Sequence, residues 1–180
     1  MKHSPARIRY SCGCILTYDN TSIKYDNIRY TESMKIGISA CLLGEKVRYD
    51  GTDRRNDELI SLLEGNEIVS ICPEKEAGFP VPHEPLEIRD GTVLSASGKD
   101  VSEKLRKGSE ECLEKVKDCD LLILKSKSPS CGIGKIYDGS FSGKLVEGDG
   151  LFVQLCRKKK VILLDENDLE MIKKILNGRK

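Results

Sequence analysis

The sequence has no tryptophan, only 5% aromatic residues, and two histidines, His3 and His83. With a single imidazole beyond the first residues, the count disfavours a structural zinc site. The chain holds eight cysteines but no C-x-x-C pair, the spacing on which structural zinc sites draw. No apolar run approaches the length that spans a bilayer, and the opening MKHSPARIRYSCGC lacks the apolar core of a secretory signal. A cytoplasmic location and reduced cysteines are therefore expected. Net charge is missing as well. Charged residues make up 33% of the chain, yet 30 basic side chains face 29 acidic ones, for a formal charge of +1. That balance argues against a protein built to neutralise DNA phosphates or to coat an anionic membrane. A phosphate loop is absent too. GIGK at 132–135 would need glycine where Pro129 stands and Ser or Thr where Ile136 stands.

What is present reads as one domain with a leader. The 180 residues suffice for a single core. Residues 1–33 are rich in Tyr, Ser, Thr, Asn and Asp, carry the near-copies TYDN and KYDN, and stop before Met34. They are either a genuine arm, such as a hairpin added to a neighbour's sheet, or the product of an upstream start codon, with Met34 as the true start. From Met34 to Lys180, four short apolar runs (34–40, 67–72, 120–125 and 160–165) suit strands buried on both faces. Helical patterns separate them: from Thr52 or Asp53 to Leu63, over 101–119, over 151–159, and over 167–176. This alternation predicts a single layered α/β domain, Rossmann-like, with a mostly parallel sheet flanked by helices. The stretches 73–97 and 127–150, rich in Gly and Pro, are expected to be long loops at strand ends, where sites are built.

The cysteines sort by position. Cys112 and Cys119 share an apolar helical stripe with Val101, Leu105 and Val116, and Cys156 lies beside Phe152 and Leu155, so these three read as core filler. Cys12 and Cys14 form a C-x-C in the leader that specifies no particular metal. Cys41 and Cys72 close the first two strands, and Cys131 follows the third by six residues. Parallel strands share one carboxyl edge, so these three can converge there; the alternative is two packed strand ends with Cys131 alone exposed. Convergent thiolates without a fourth ligand suit a four-iron cluster with one open iron better than structural zinc. A cysteine nucleophile is the third possibility, with His83 as its base. Glu74 and Glu76 are either solvent-exposed, as carboxylates usually are, or, for the one two residues from Cys72 and held by Pro73, placed for proton transfer. Arg48, Tyr49 and Asp50 in VRYDG echo Tyr137 and Asp138 in IYDG; these are either ordinary Asp-Gly turns or substrate contacts. The run 157–160 reads as a solvated, cationic helix end.

Three motifs occur in order: SACLLG-x-x-VRYDG (39–51), CPE-x-x-AG (72–78) with P-x-P-H-E-P (80–85), and SPSCG-x-G-x-IYDG-x-F-S-G (128–143). Together they resemble the domain of unknown function 523 family, which includes the thiouracil desulfurases. The resemblance spans Met34 to about Asp165. It implies a [4Fe-4S] cluster held by Cys41, Cys72 and Cys131 with the fourth iron open, Glu74 as acid/base and Ser128 as the motif serine. Arg48, Tyr49, Asp50, Ser130, Tyr137 and Asp138 are then expected around a small thiolated substrate such as a thiopyrimidine. The implied chemistry is non-redox: sulfur binds the open iron, water attacks the carbon, and sulfide stays behind. His83 is a departure, standing where the family pattern has arginine. Two other functions remain open at this level, a non-catalytic metal- or sulfide-binding module and a metal-free cysteine enzyme.

Overall fold

The structure, a computed structural model, describes residues 33–159 and 161–177, together with the strands at 6–9, 15–19 and 22–26. The chain divides into two units, Met1–Ser33 and Met34–Lys180. The first contains β1 (Ala6–Arg9), β2 (Ile15–Asp19) and β3 (Ser22–Asp26), paired antiparallel in the order β1-β2-β3. Tyr18 lies opposite Ile23 and Leu16 opposite Tyr25, so the two near-copies run side by side in one hairpin. Cys12 and Cys14 lie outside the described residues.

The second unit runs β4 (Lys35–Ser39), a 3-10 turn (Ala40–Leu43), α1 (Asp57–Leu62), β5 (Glu67–Ile71) and α2 (Pro73–Glu76). It continues with β6 (Leu86–Arg89), β7 (Thr92–Ser95), α3 (Ser102–Lys115) and β8 (Leu121–Leu124). Then come β9 (Lys135–Tyr137), β10 (Leu145–Glu147), α4 (Leu151–Arg157), β11 (Ile162–Asp165) and α5 (Leu169–Asn177). The four apolar runs form one parallel sheet in the order β11-β8-β4-β5.

Strand periodicity sends alternate side chains to opposite faces, and β8 shows the consequence. Leu121 and Ile123 join Ile36 and Ile38 beneath Leu59 and Leu63 of the α1 region and Ile172 of α5. Leu122 and Leu124 face the other way, onto Cys112 and Val116 of the α3 region and Phe152, Val153 and Cys156 of α4. Each fully buried Leu, Ile or Phe contributes about 1.5–3 kcal/mol of transfer free energy, so a strand buried on both faces anchors both layers. Cys112 and Cys156 are fully buried core, whereas Cys119 is half-buried beyond the end of α3.

The structure departs from the sequence pattern at the start of the first helix, at the end of the helix expected over 101–119, which stops at Lys115, and in the expected loops. The helix expected from residue 52 or 53 starts at Asp57, where the Asn56 side chain caps it by accepting from the Leu59 amide at 3.0 Å. The preceding residues are tied elsewhere: the Arg54 amide donates to the Cys41 carbonyl (2.8 Å) and that of Asn56 to Leu42 (3.1 Å). The supposed loops also carry structure. The first contains α2 and the β6-β7 hairpin, turned at Asp90 and Gly91 with φ of 48 and 80°, as a two-residue turn of this hand requires. The second contains the β9-β10 hairpin. Among the described residues no helix is long and apolar enough to cross a membrane.

Candidate functional site

From β4 the chain moves outward to β5 on one side, then returns to place β8 on the other. The order of strands therefore reverses between β4 and β8, and in an open parallel sheet the crevice at the carboxyl ends of such strands is where ligands bind. A cavity of about 490 Å³ occupies this edge, lined among others by Cys41, Cys72 and Cys131.

Each cysteine is positioned by local backbone chemistry. Cys41 lies in the 3-10 turn after β4, which Gly44 closes in the left-handed region at φ 93°. Cys72 sits one residue before Pro73, itself the first residue of α2, a position that needs no amide proton. Cys131 lies in the loop after β8, where the Ser128 hydroxyl accepts from the amides of Ser130 and Cys131, both at 3.1 Å. That loop is docked on α4: the Leu151 and Phe152 amides, orphan donors of its first turn, reach the carbonyls of Pro129 (2.9 Å) and Ser130 (3.0 Å).

Two of the three thiols, Cys41 and Cys131, are buried, and Cys72 is half-buried. Cys41 is 8% exposed and Cys131 5%. Burial, then the neighbouring Cys72 sulfur, pushes the Cys41 thiol up to about 12. Burial raises Cys72 to about 11, against the pull of the Lys75 and Glu74 amides, which face its sulfur without closing a capping hydrogen bond. Cys131 is pushed well above the ordinary thiol range by burial, and the other two sulfurs add to it, while the hydroxyls of Ser39 and Ser130 favour its thiolate. Three cysteine sulfurs brought to one cavity form a donor set of the kind that thiophilic metals take. Among the described residues no three His, Cys, Asp or Glu side chains close on a single metal ion.

A polar network adjoins the thiols. Glu74 Oε1 accepts from the Ser130 hydroxyl at 2.9 Å, and Ser130 Oγ lies 2.8 Å from Ser128 Oγ. His83 Nε2, which has no other partner, stands 3.3 Å from Glu74 Oε2, close enough for charge attraction although off the line of a hydrogen bond. Lys125, directly after β8, also lines the cavity. Its ammonium lies 2.5 Å from Glu166 Oε1, and its charge favours the Cys41 thiolate.

Of the remaining residues expected here, Arg48, Tyr49, Glu74, Ser128, Ser130 and Tyr137 line the cavity. Asp50 and Asp138 do not. Asp50 accepts from Arg48 (3.0 Å) and from the Thr52 amide (3.1 Å), so it orients Arg48 instead of facing the cavity. Asp138 closes its own turn on Ser140 and pairs with Lys144. Sequence reasoning did not single out Lys125, Glu87 or Phe141, which line the cavity as well. A signal for Lys125 was present: a lysine ends a strand buried on both faces, and its neighbouring strand ends one residue before Glu166.

The fold and site define an α/β protein with an open parallel sheet, a thiol-lined crevice at its switch point and a carboxylate-serine network beside it. Comparison with known proteins gives the particular family. Residues 36–168 match the 2-thiouracil desulfurase family. An uncharacterised protein, YbbK of Bacillus subtilis (strain 168), is 36% identical over 147 residues, covering 75% of this chain and 97% of its own. A solved structure described as the [4Fe-4S]-dependent thiouracil desulfidase TudS superposes with a TM-score of 0.74 at 35% identity, covering 81% of this chain and 99% of the other. The chain belongs to the 2-thiouracil desulfurase family.

Proposed function

We propose that this protein is a [4Fe-4S]-dependent desulfidase for a small thiolated heterocycle, with Cys41, Cys72 and Cys131 as the cluster ligands. The observation that carries this reading is the convergence of three cysteines, two buried and one half-buried, on one cavity beside the Glu74-Ser130-Ser128 network. When bound through three thiolates, such a cluster supplies a Lewis-acidic iron with a position open to sulfur.

The chain's own groups supply the rest. Replacing C=S by C=O consumes one water: its oxygen goes to carbon, its two protons leave with the sulfur as hydrogen sulfide, and no net electrons move. Glu74, 14% exposed, is the base that takes the first proton from that water. Ser130 and Ser128, joined at 2.8 Å, carry a proton between the carboxylate and the leaving sulfur. Lys125 and Arg48 offset negative charge near Cys41. The six described cysteines are free thiols, which suits the reducing cytoplasm where we place the protein. A metal-free cysteine nucleophile fits less well, because His83, the one imidazole after Met34, faces Glu74 instead of a sulfur.

The test is product analysis on anaerobically reconstituted protein given 2-thiouracil. Uracil and sulfide are expected in equal amounts, and Glu74→Gln is expected to keep its iron but lose about 10²- to 10⁴-fold in kcat. Sulfide release undiminished in Glu74→Gln would remove that residue from the chemistry, and none from the wild type would refute the function.

A further inference from the structure

Aromatic residues are scarce here and unevenly placed. Five follow Met34: Tyr49, Phe79, Tyr137, Phe141 and Phe152. Phe152 is fully buried in the core, and Phe79 packs on His83 with ring centres 5.1 Å apart. The other three, Tyr49, Tyr137 and Phe141, all line the cavity. In so small a set, that concentration needs a reason, and a flat ligand provides one, since stacked rings gain area and electrostatic complementarity together.

Phe141 is the most constrained of the three. Its φ is 56°, a backbone region that bulky residues seldom occupy. Two side chains on one face of β6 hold the loop there. Glu87, 8% exposed, accepts a hydrogen bond from the Phe141 amide at 2.9 Å. Arg89 donates to the Gly139 carbonyl. Gly139 itself has φ 80°, and a Cβ on it would lie 2.4 Å from Arg89 Cβ, so the grip closes only on glycine. Burying a carboxylate is unfavourable, and spending it on one amide makes sense where that amide's position matters. The half-buried Phe141 side chain is thereby fixed at the wall of the cavity, while β6 and β7 pack into a separate apolar cluster that gives the clamp a rigid base.

We infer that Phe141 is a specificity-determining residue that offers its ring to a planar heterocycle, with Glu87 and Arg89 as positioning residues. The site then selects flat, aromatic thiolated rings over puckered or acyclic thioamides. This rests on the proposed function only in taking the cavity as the substrate's place.

Uracil and 5,6-dihydrouracil test it, because they share the same amide edge and differ in planarity. Their binding to iron-loaded protein is measured by anaerobic calorimetry for wild type, Phe141→Leu and Phe141→Tyr, with iron counted in each. Wild type and Phe141→Tyr are expected to favour uracil by about tenfold, equivalent to ~1.4 kcal/mol. Phe141→Leu, which keeps apolar bulk, is expected to bring the ratio near one with iron unchanged. A ratio in Phe141→Leu equal to that of wild type overturns the inference, as does a wild type that binds neither ligand or does not distinguish them. Were the preference to follow Phe141 while 2-thiouracil released no sulfide, the desulfidase reading would fall and this one would stand.

Discussion

His83 Nδ1 lies 2.6 Å from the Glu84 carbonyl, which makes that nitrogen a donor. Nε2 then faces Glu74 at 3.3 Å and attracts it only if it too carries a proton. Burial works against the imidazolium, but the Glu74 carboxylate and the Glu84 carbonyl outweigh it and raise the His83 pKa above the ordinary 6.5. The fold therefore favours protonated His83. Its stabilisation is complete below the unfolded-state value of 6.5 and is lost as pH rises through the higher folded-state value. In denaturant unfolding, His83→Gln is expected to be less stable than wild type from about pH 5 to 6.5, with the two curves meeting at alkaline pH. Parallel curves would show that the pair contributes nothing. The sequence exposed His83 as a departure from the family pattern, but not its partner, because Glu74 lies nine positions away across a proline-rich turn. The three cysteines were legible from strand ends and motifs. Asp50 and Asp138 show the limit of that reading: an Asp-Gly motif beside a site serves the turn as readily as the cavity.

At the level of elements, two glycines set how closely the site's supports approach. A Cβ at Gly108 of α3 would lie 2.3 Å from the Pro73 carbonyl oxygen and 2.4 Å from the Ala77 amide, both backbone atoms that cannot swing away. At Gly150, ahead of α4, it would lie 2.4 Å from the Ser130 carbonyl oxygen. The first holds α2, and so Cys72 and Glu74, against α3; the second holds the Cys131 loop against α4. Gly108→Ala is expected to cost about 1–3 kcal/mol in denaturant unfolding and to lower the iron retained after reconstitution. An unchanged midpoint would mean that α2 has room to move. These approaches left no trace in the helical pattern, where a glycine inside α3 reads only as a weak helix former. The β6-β7 hairpin was more legible than its assignment to a loop allowed, since LEIR-DG-TVLS has apolar strands around a favoured turn dipeptide. The Gly- and Pro-rich flanks obscured it.

Across the whole molecule, the parallel sheet was readable because its central strands, β4 and β8, are buried on both faces and appear as apolar runs. The edge strands expected to match them are open, β5 largely exposed and β11 half-buried. Strand order was not readable. Nothing in the text of β4, β5 and β8 says that β4 lies between the other two, and that order is what creates the crevice. Every described residue lining the cavity falls between Ser39 and Gly143, inside the second unit, and the family match begins at residue 36. A variant lacking residues 1–33 is therefore expected to take up iron and release sulfide from 2-thiouracil as the full chain does. Loss of both would assign the first unit a part in the site.

The central claim is that Cys41, Cys72 and Cys131 together hold the cluster, and iron counting addresses it most directly. Wild type, Cys41→Ser, Cys72→Ser and Cys131→Ser are reconstituted anaerobically, with Cys156→Ser as a core-cysteine control, and iron and acid-labile sulfide are measured per chain. About four of each are expected in wild type and in the control, with a marked loss in each of the three site variants. Iron content unchanged in all three would contradict the account.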